Sequence, residues 1–285
     1  MTLRQLTDNS IDRLSPLYET SEARWLVRTA LEHFTGMSRT DMMLRSDQEA
    51  SEMLIHNVSG VIDRLLDNEP IQYILGETYW HGLTLKVTPD VLIPRVETSE
   101  LIDIINDDYA GRSDLKVLDL CTGSGCIAIA LARALPFSRV TATDISAGAL
   151  RVARENAADC KVKITFQQGD LLAGVGLPEG SMDIIVSNPP YICDSEKAGM
   201  SANVLDYEPH SALFVPDDDP LKFYRAISRE GIRLAVAGGR LYLEINPLHV
   251  SELTAMLADD GWTEVEALKD MHGRERFVKA LKPAD

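Results

Sequence analysis

The chain has 285 residues, 45% hydrophobic and 25% charged, the balance of a soluble globular protein with room for a large domain and a small one. Its formal charge of −16 argues against a surface built to neutralise phosphates, which disfavours direct nucleic-acid binding. No apolar run approaches the roughly 20 residues that span a bilayer, and the opening "MTLRQLTDNS" lacks the apolar core of a signal peptide.

Cys121, Cys126, Cys160 and Cys193 form no CxxC pair and have no His at zinc spacing. A cytoplasmic protein with reduced thiols, no membrane contact and no metal site is expected.

Residues 1–75 read as a small helical bundle. In "SEARWLVRTALEHF" the residues Leu26, Val27, Ala30, Leu31 and Phe34 recur at helical spacing, with Ser21 as the N-cap. Asp47 caps a second helix whose stripe is Leu54, Val58, Val61, Ile62 and Leu65. Trp25 and Trp80 read as core or interdomain packing, and His56 as an ordinary core or surface residue.

In "EPIQYILGETYWHGLTLKVTPDVLIPR" the texture changes. Gly76, Gly82, Pro89 and Pro94 punctuate short β-prone pieces, with a hairpin joining "ETYWHG" to "LTLKVT". Residues 76–111 are taken as a hairpin and connector. From 112 to 285, aliphatic strands alternate with helices, so a parallel sheet covered on both faces is expected. The irregular stretch from about 192 to 218 is expected to be a substrate-facing loop.

"VLDLCTGSGCIA" puts Gly123 and Gly125 between a strand and a helix, where the backbone can approach a ligand closely. Asp144 ends the next strand, about 20 residues on, where a carboxylate can grip a ribose diol. Gly123-x-Gly125-x-x-Ala128 also fits a dinucleotide fingerprint, so this motif leaves NAD and S-adenosylmethionine both open.

"MDIIVSNPPYICD" ends an aliphatic strand on Asn188, Pro189, Pro190 and Tyr191. A planar NH₂ group is a poor nucleophile because its lone pair is delocalised, and two acceptors drawing on its N–H groups would turn that lone pair toward a methyl donor. Asn188 offers a side-chain oxygen, Pro189 a carbonyl on a segment without its own N–H, and Tyr191 a ring to pack on the acceptor. Asn188, Pro189 and Tyr191 are the candidate catalytic residues, and with Pro190 they form the candidate substrate site.

These blocks, together with "EPIQYILGE", "VLIPRVETSELI", "YEPHSAL" and "LYLEI", resemble the PrmC/HemK family of peptide chain release factor N5-glutamine methyltransferases over nearly the whole chain. The resemblance implies an α/β class I S-adenosylmethionine-dependent methyltransferase: a Rossmann-like seven-stranded sheet with its last strand antiparallel, after a helical domain that engages the release factor. It implies methylation of the glutamine in the factor's GGQ loop, with S-adenosylhomocysteine as product; a monomer is the default expectation for this layout.

By the same resemblance, Cys121, Thr122, Gly123, Ser124 and Gly125 form the methionine-side loop. Asp144 binds the ribose, Asp170 and Leu171 lie by the adenine, and Asn188 to Tyr191 hold the glutamine amide, with Asn188 also beside the cofactor. The chain departs from the family pattern at Cys121 and Asn246, where glycines are usual, at Val96, usually proline, and at Leu171, often aromatic. Arg95 and Glu97 are expected to form a structural ion pair. Adenine-N6 methylation of nucleic acid and a non-catalytic cofactor-retaining binder remain the alternatives.

Overall fold

The computed structural model describes residues 1–284. The chain divides into two compact units: Met1–Glu77 with Ser201–Tyr207, and Thr78–Met200 with the residues from Glu208 onward.

The first unit is built of helices Leu3–Leu14, Thr20–Thr35, Arg39–Leu44, Glu52–Leu66 and Ile71–Leu75. A capping box starts the first of them: Thr2 accepts from the Gln5 N–H while the Gln5 side chain returns the bond. The second begins at Thr20 behind Glu19, so Ser21 lies inside its first turn and is not the cap. The fourth is capped by Ser51, whose hydroxyl accepts from the Leu54 N–H. Asp47 is not that cap; it pairs with Arg4 at 3.2 Å.

Leu26, Val27, Ala30 and Leu31 meet Val58, Val61, Ile62 and Leu65 in one apolar cluster. Trp25, one position off that stripe, is 42% exposed and is not core. Phe34, in the last turn, is also partly open, and His56 is exposed. The unit includes the helix Ala202–Tyr207, where the Tyr207 hydroxyl donates to the Asp67 carbonyl at 2.7 Å.

A hairpin of Glu77–Trp80 and Leu83–Lys86 turns through His81 and Gly82, both at positive φ, the backbone that a tight two-residue turn requires. Residues 76–111 are not a free connector. Leu83 and Leu85, together with Leu101, Ile102 and Ile105 of the helix Thr98–Asp108, share a core with the main sheet. The apolar stripe of that helix needs a face to bury, and the sheet supplies it.

That sheet contains β1 (Lys116–Leu120), β2 (Arg139–Asp144), β3 (Ile164–Gln168), β4 (Met182–Ser187), β5 (Ala235–Glu244), β6 (Thr263–Lys269) and β7 (Glu275–Leu281). Among the described residues it is seven-stranded, in the order β6-β7-β5-β4-β1-β2-β3. β1 to β5 run parallel, and β7 is antiparallel to both neighbours.

Successive residues of the central strands feed opposite cores: Val117 and Ile184 on one face, Leu118 and Ile185 on the other. This explains the unbroken aliphatic runs, since neither face meets water. The chain leaves β1 for β2 on one side while β4 lies on the other, and ligands of such sheets sit outside the carboxyl ends at that reversal.

The stretch 192–218 is not irregular. Ile192–Cys193 pairs in parallel with Phe214–Val215, and short helical turns and the helix Ala202–Tyr207 lie between them.

Candidate active site

After β1 the chain runs through Cys121–Gly125 into the helix Cys126–Ala134. Cys121, Gly123 and Gly125 have φ of 61°, 54° and 81°. The left-handed backbone is the reason glycine suits all three positions. At Cys121 a side chain is carried there at about 1–2 kcal/mol, and it packs against the second apolar core.

The loop is strapped from several sides. The Thr122 N–H donates to the Thr143 carbonyl at 3.0 Å and its hydroxyl to Asp119 Oδ2 at 2.6 Å. Asn156, 1% exposed, donates to the carbonyls of Ser124 and Lys86 and accepts from the Lys86 N–H. Asp144 accepts from the Gly123 N–H through Oδ2 and the Ser146 N–H through Oδ1, both at 2.9 Å. Each of its oxygens keeps lone-pair capacity for a hydroxyl. Burial raises the Asp144 carboxyl above its ordinary range, and the backbone donors pull it back.

Asp119 is fully buried and its Oδ1 has no hydrogen bond among the described residues; burial pushes its carboxyl up to about 7. A carboxyl raised in the folded state contributes stability in full below its unfolded value of about 3.9, and that contribution is lost as pH rises toward the folded value. The parent is therefore expected to lose roughly 3–4 kcal/mol between about pH 4 and pH 8 from this group. Asp119→Asn is expected to abolish that slope, read by denaturant unfolding across the range; an unchanged slope would exclude Asp119 as its source.

A cavity of about 350 Å³ opens at the carboxyl ends of β1, β2 and β4. Of the residues singled out above, Cys121, Thr122, Gly123, Ser124, Asp144, Asp170, Leu171, Asn188 and Pro190 line it, whereas Gly125, Pro189 and Tyr191 do not. Asp170 accepts from the Leu172 N–H at 2.9 Å, which closes a short turn beside Leu171.

The corner after β4 is held on both sides. The Ser187 hydroxyl donates to the Leu120 carbonyl at 2.7 Å, and the N–H groups of Tyr191 and Ile192 donate to the Leu213 carbonyl. The Tyr191 ring packs on the second apolar core, and its hydroxyl donates to Glu244 at 3.1 Å. Burial, above all, and the Glu244 charge hold that phenol protonated.

Asn246, standing where the family has glycine, donates to the Tyr191 carbonyl at 3.0 Å and to Glu196 at 2.8 Å. Its own oxygen accepts from the Leu248 N–H. That departure thus supplies a brace for the corner.

Arg95 does not pair with Glu97. Its Nη2 meets Glu208 Oε1 at 2.7 Å, and Glu208 Oε2 accepts from the Ile93 N–H. Glu97 instead occupies the start of the helix Thr98–Asp108, where a negative charge is favourable. The Arg95 carbonyl accepts from buried Trp80 Nε1 at 2.6 Å. Thr98, Asn156, Glu208 and Glu244 carry the site's internal bonding without having been singled out as site residues. For Glu244 the available signal is a lone acid ending an apolar strand, as at Asp144.

The family model described as "PrmC N-terminal domain" matches residues 5–76, and that described as "Methyltransferase small domain" matches residues 98–205. A release factor glutamine methyltransferase of Bacteroides thetaiotaomicron is 41% identical, over 94% of this chain and 95% of its own. That of Flavobacterium psychrophilum is 38% identical, over 98% and 99%.

A methyltransferase structure from Pyrococcus furiosus shares the fold at a TM-score of 0.52, with 20% identity over 79% of this chain and 99% of that one. The chain therefore belongs to the release factor glutamine methyltransferase family and is an enzyme of the class I, S-adenosylmethionine-dependent methyltransferase fold.

Proposed function

We propose that this enzyme transfers the methyl group of S-adenosylmethionine to the side-chain amide nitrogen of the glutamine in the GGQ loop of a peptide chain release factor, leaving S-adenosylhomocysteine. The observation that carries the reading is the convergence of Asn188, residues 121–124 and Asp144 on one cavity. The chemistry of its wall fits this cofactor better than a dinucleotide. Asp144 and Asp170 face the cavity, while Arg95 is matched by Glu208 and Asp90 by Arg151. Such a wall suits a cationic sulfonium and repels a pyrophosphate.

When bound, S-adenosylmethionine supplies an electrophilic methyl on a cationic sulfur. The remaining work falls to the chain. Asp144 offers lone pairs to the ribose hydroxyls, and Leu171, 8% exposed, offers an apolar side to the base. Asn188 Oδ1 accepts one N–H of the glutamine amide and the Pro189 carbonyl the other, which localises the nitrogen lone pair toward the methyl. Pro189 is not in the cavity wall, so its carbonyl enters only through the backbone of the corner.

Holding near-attack geometry can supply about 7–11 kcal/mol of the barrier. No strong base is required, because the methylated nitrogen is cationic and sheds its proton readily. The helical unit, which matches the family's N-terminal model, is assigned to holding the release factor. The reading entails a monomeric enzyme working in the cytoplasm.

Incubation of the full chain with methyl-labelled cofactor and a release factor is expected to label the GGQ peptide on its glutamine amide, read by mass spectrometry. Label in nucleic acid, or an unlabelled GGQ peptide with cofactor bound, would overturn the reading.

A further inference from the structure

Glu244 ends β5 with 1% exposure, and each of its oxygens accepts a hydroxyl: Oε2 from Thr98 at 2.6 Å and Oε1 from Tyr191 at 3.1 Å. Thr98 Oγ1 also faces the Asn188 amide, 3.4 Å from Nδ2. A threonine hydroxyl has one hydrogen and two lone pairs. The short bond to a carboxylate commits that hydrogen to Glu244, so toward Asn188 the hydroxyl can only accept. The Asn188 group beside it must then be the NH₂, which leaves the amide oxygen for the cavity.

We propose that Glu244, acting through Thr98, is a positioning residue that sets the flip of the Asn188 amide, so that an acceptor and not a donor meets the substrate nitrogen. The inference rests on the reading that Asn188 Oδ1 accepts from the glutamine amide. Packing cannot make this choice, because the two orientations of an asparagine amide have nearly the same shape. Only hydrogen-bond polarity distinguishes them. A flipped Asn188 would set NH₂ against NH₂, with no bond between them. Through its other oxygen the same carboxylate holds Tyr191, so both ends of the proline corner refer to one buried acid.

The device requires Glu244 ionised. Burial pushes its carboxyl up, while the Thr98 and Tyr191 hydroxyls and the Arg276 charge pull it down; Glu97 opposes them. From the remaining packed element, Tyr224 donates to the Glu244 backbone carbonyl. As pH falls through the raised pKa, Glu244 gains a proton that it can donate to Thr98. The Thr98 hydrogen is then free for Asn188, and the amide turns.

The test is a polarity swap in the full-length enzyme, with the GGQ-bearing release factor as substrate. Glu244→Gln alone is expected to lower kcat about tenfold, the scale of one hydrogen bond, with cofactor Kd within threefold and the acid limb of kcat gone. Asn188→Asp alone is expected to fall at least a hundredfold, since a carboxylate oxygen then faces a hydroxyl oxygen whose hydrogen is committed elsewhere. Adding Glu244→Gln to Asn188→Asp frees that hydrogen for the introduced carboxylate and is expected to recover about tenfold.

Losses that simply multiply, with the acid limb retained in Glu244→Gln, would overturn the proposal; because relief of repulsion between two carboxylates would also rescue, Thr98→Val, which leaves Glu244 charged, must rescue Asn188→Asp as well. If Glu244→Gln does not fold, Thr98→Val added to Asn188→Asp removes the opposing lone pairs. Recovery there supports the proposal, and a further loss overturns it. An unmodified enzyme that leaves the GGQ peptide unlabelled would instead sink the functional reading beneath it.

Discussion

Asn188→Ala is expected to lower turnover by about 10²–10³, the effect of removing one preorganised polar group from a reacting centre. Cofactor affinity should stay within tenfold. The separation follows from where the proposed function holds each ligand. The substrate nitrogen depends on the Asn188 oxygen to draw on its N–H group, and without it the lone pair stays delocalised. The cofactor depends instead on the 121–125 loop and Asp144, whose bonds to Thr143, Asp119, Gly123 and Ser146 do not pass through residue 188.

Stability should change little, because the asparagine side chain contributes one long bond at 3.4 Å, worth at most about 1 kcal/mol. Calorimetric titration of the cofactor beside steady-state kinetics on the release factor checks both halves. A variant turning over at the parent rate would mean that the acceptor for the amide lies elsewhere.

The largest expected effect on stability comes from Gly125→Ala. Gly125 has φ of +81°, and a Cβ built there meets Ala153 Cβ at 3.1 Å, with Ala153 Cα and Ile129 Cδ1 both at 3.3 Å. The left-handed backbone costs about 1–2 kcal/mol and the crowding about 1–3 kcal/mol more. Two of the three atoms met belong to an alanine in the helix Ala147–Asp159, which has no flexible end to swing aside.

A fall in melting temperature of about 5–15 °C is expected for a unit of this size. Gly123→Ala is the control: φ is +54° there too, but nothing lies within 4 Å of the added carbon, so only the backbone penalty applies. Equal losses in the two variants would show that the contact with Ala153 does not matter.

Much of the architecture was legible along the chain because its causes are local. Strand segments buried on both faces are largely aliphatic, and Val117 and Leu118 of β1, Ile184, Ile185 and Val186 of β4, and Leu241 and Leu243 of β5 advertise this. Helix stripes recur with a period that survives in any window, as at Leu26, Val27, Ala30 and Leu31. The proline corner declares itself because two residues without N–H groups cannot continue a ladder. Local signals also misled: Ser51, beside the helix, caps it in place of Asp47, and Trp25 lies one position off the stripe that buries its neighbours.

The bonding that shapes the site has no such local trace. Arg95 finds Glu208 across 113 residues rather than Glu97 two positions away. Thr98 finds Glu244 across 146. Asn156 ties the glycine loop to Lys86. A buried polar group must be satisfied by whatever the fold brings beside it, and that neighbour leaves no period or spacing in the sequence.

What the sequence by itself determined is the class of fold, the family, and the chemical parts of the site: a glycine loop, an acid ending the next strand, and an amide beside two prolines. Tertiary structure alone decided which way those parts face. Strand order brings β4 and β5 together, so that one carboxylate reaches both Thr98 and Tyr191. Orientation at an amide is a matter of which hydrogen is already committed, and only atoms in contact can commit it.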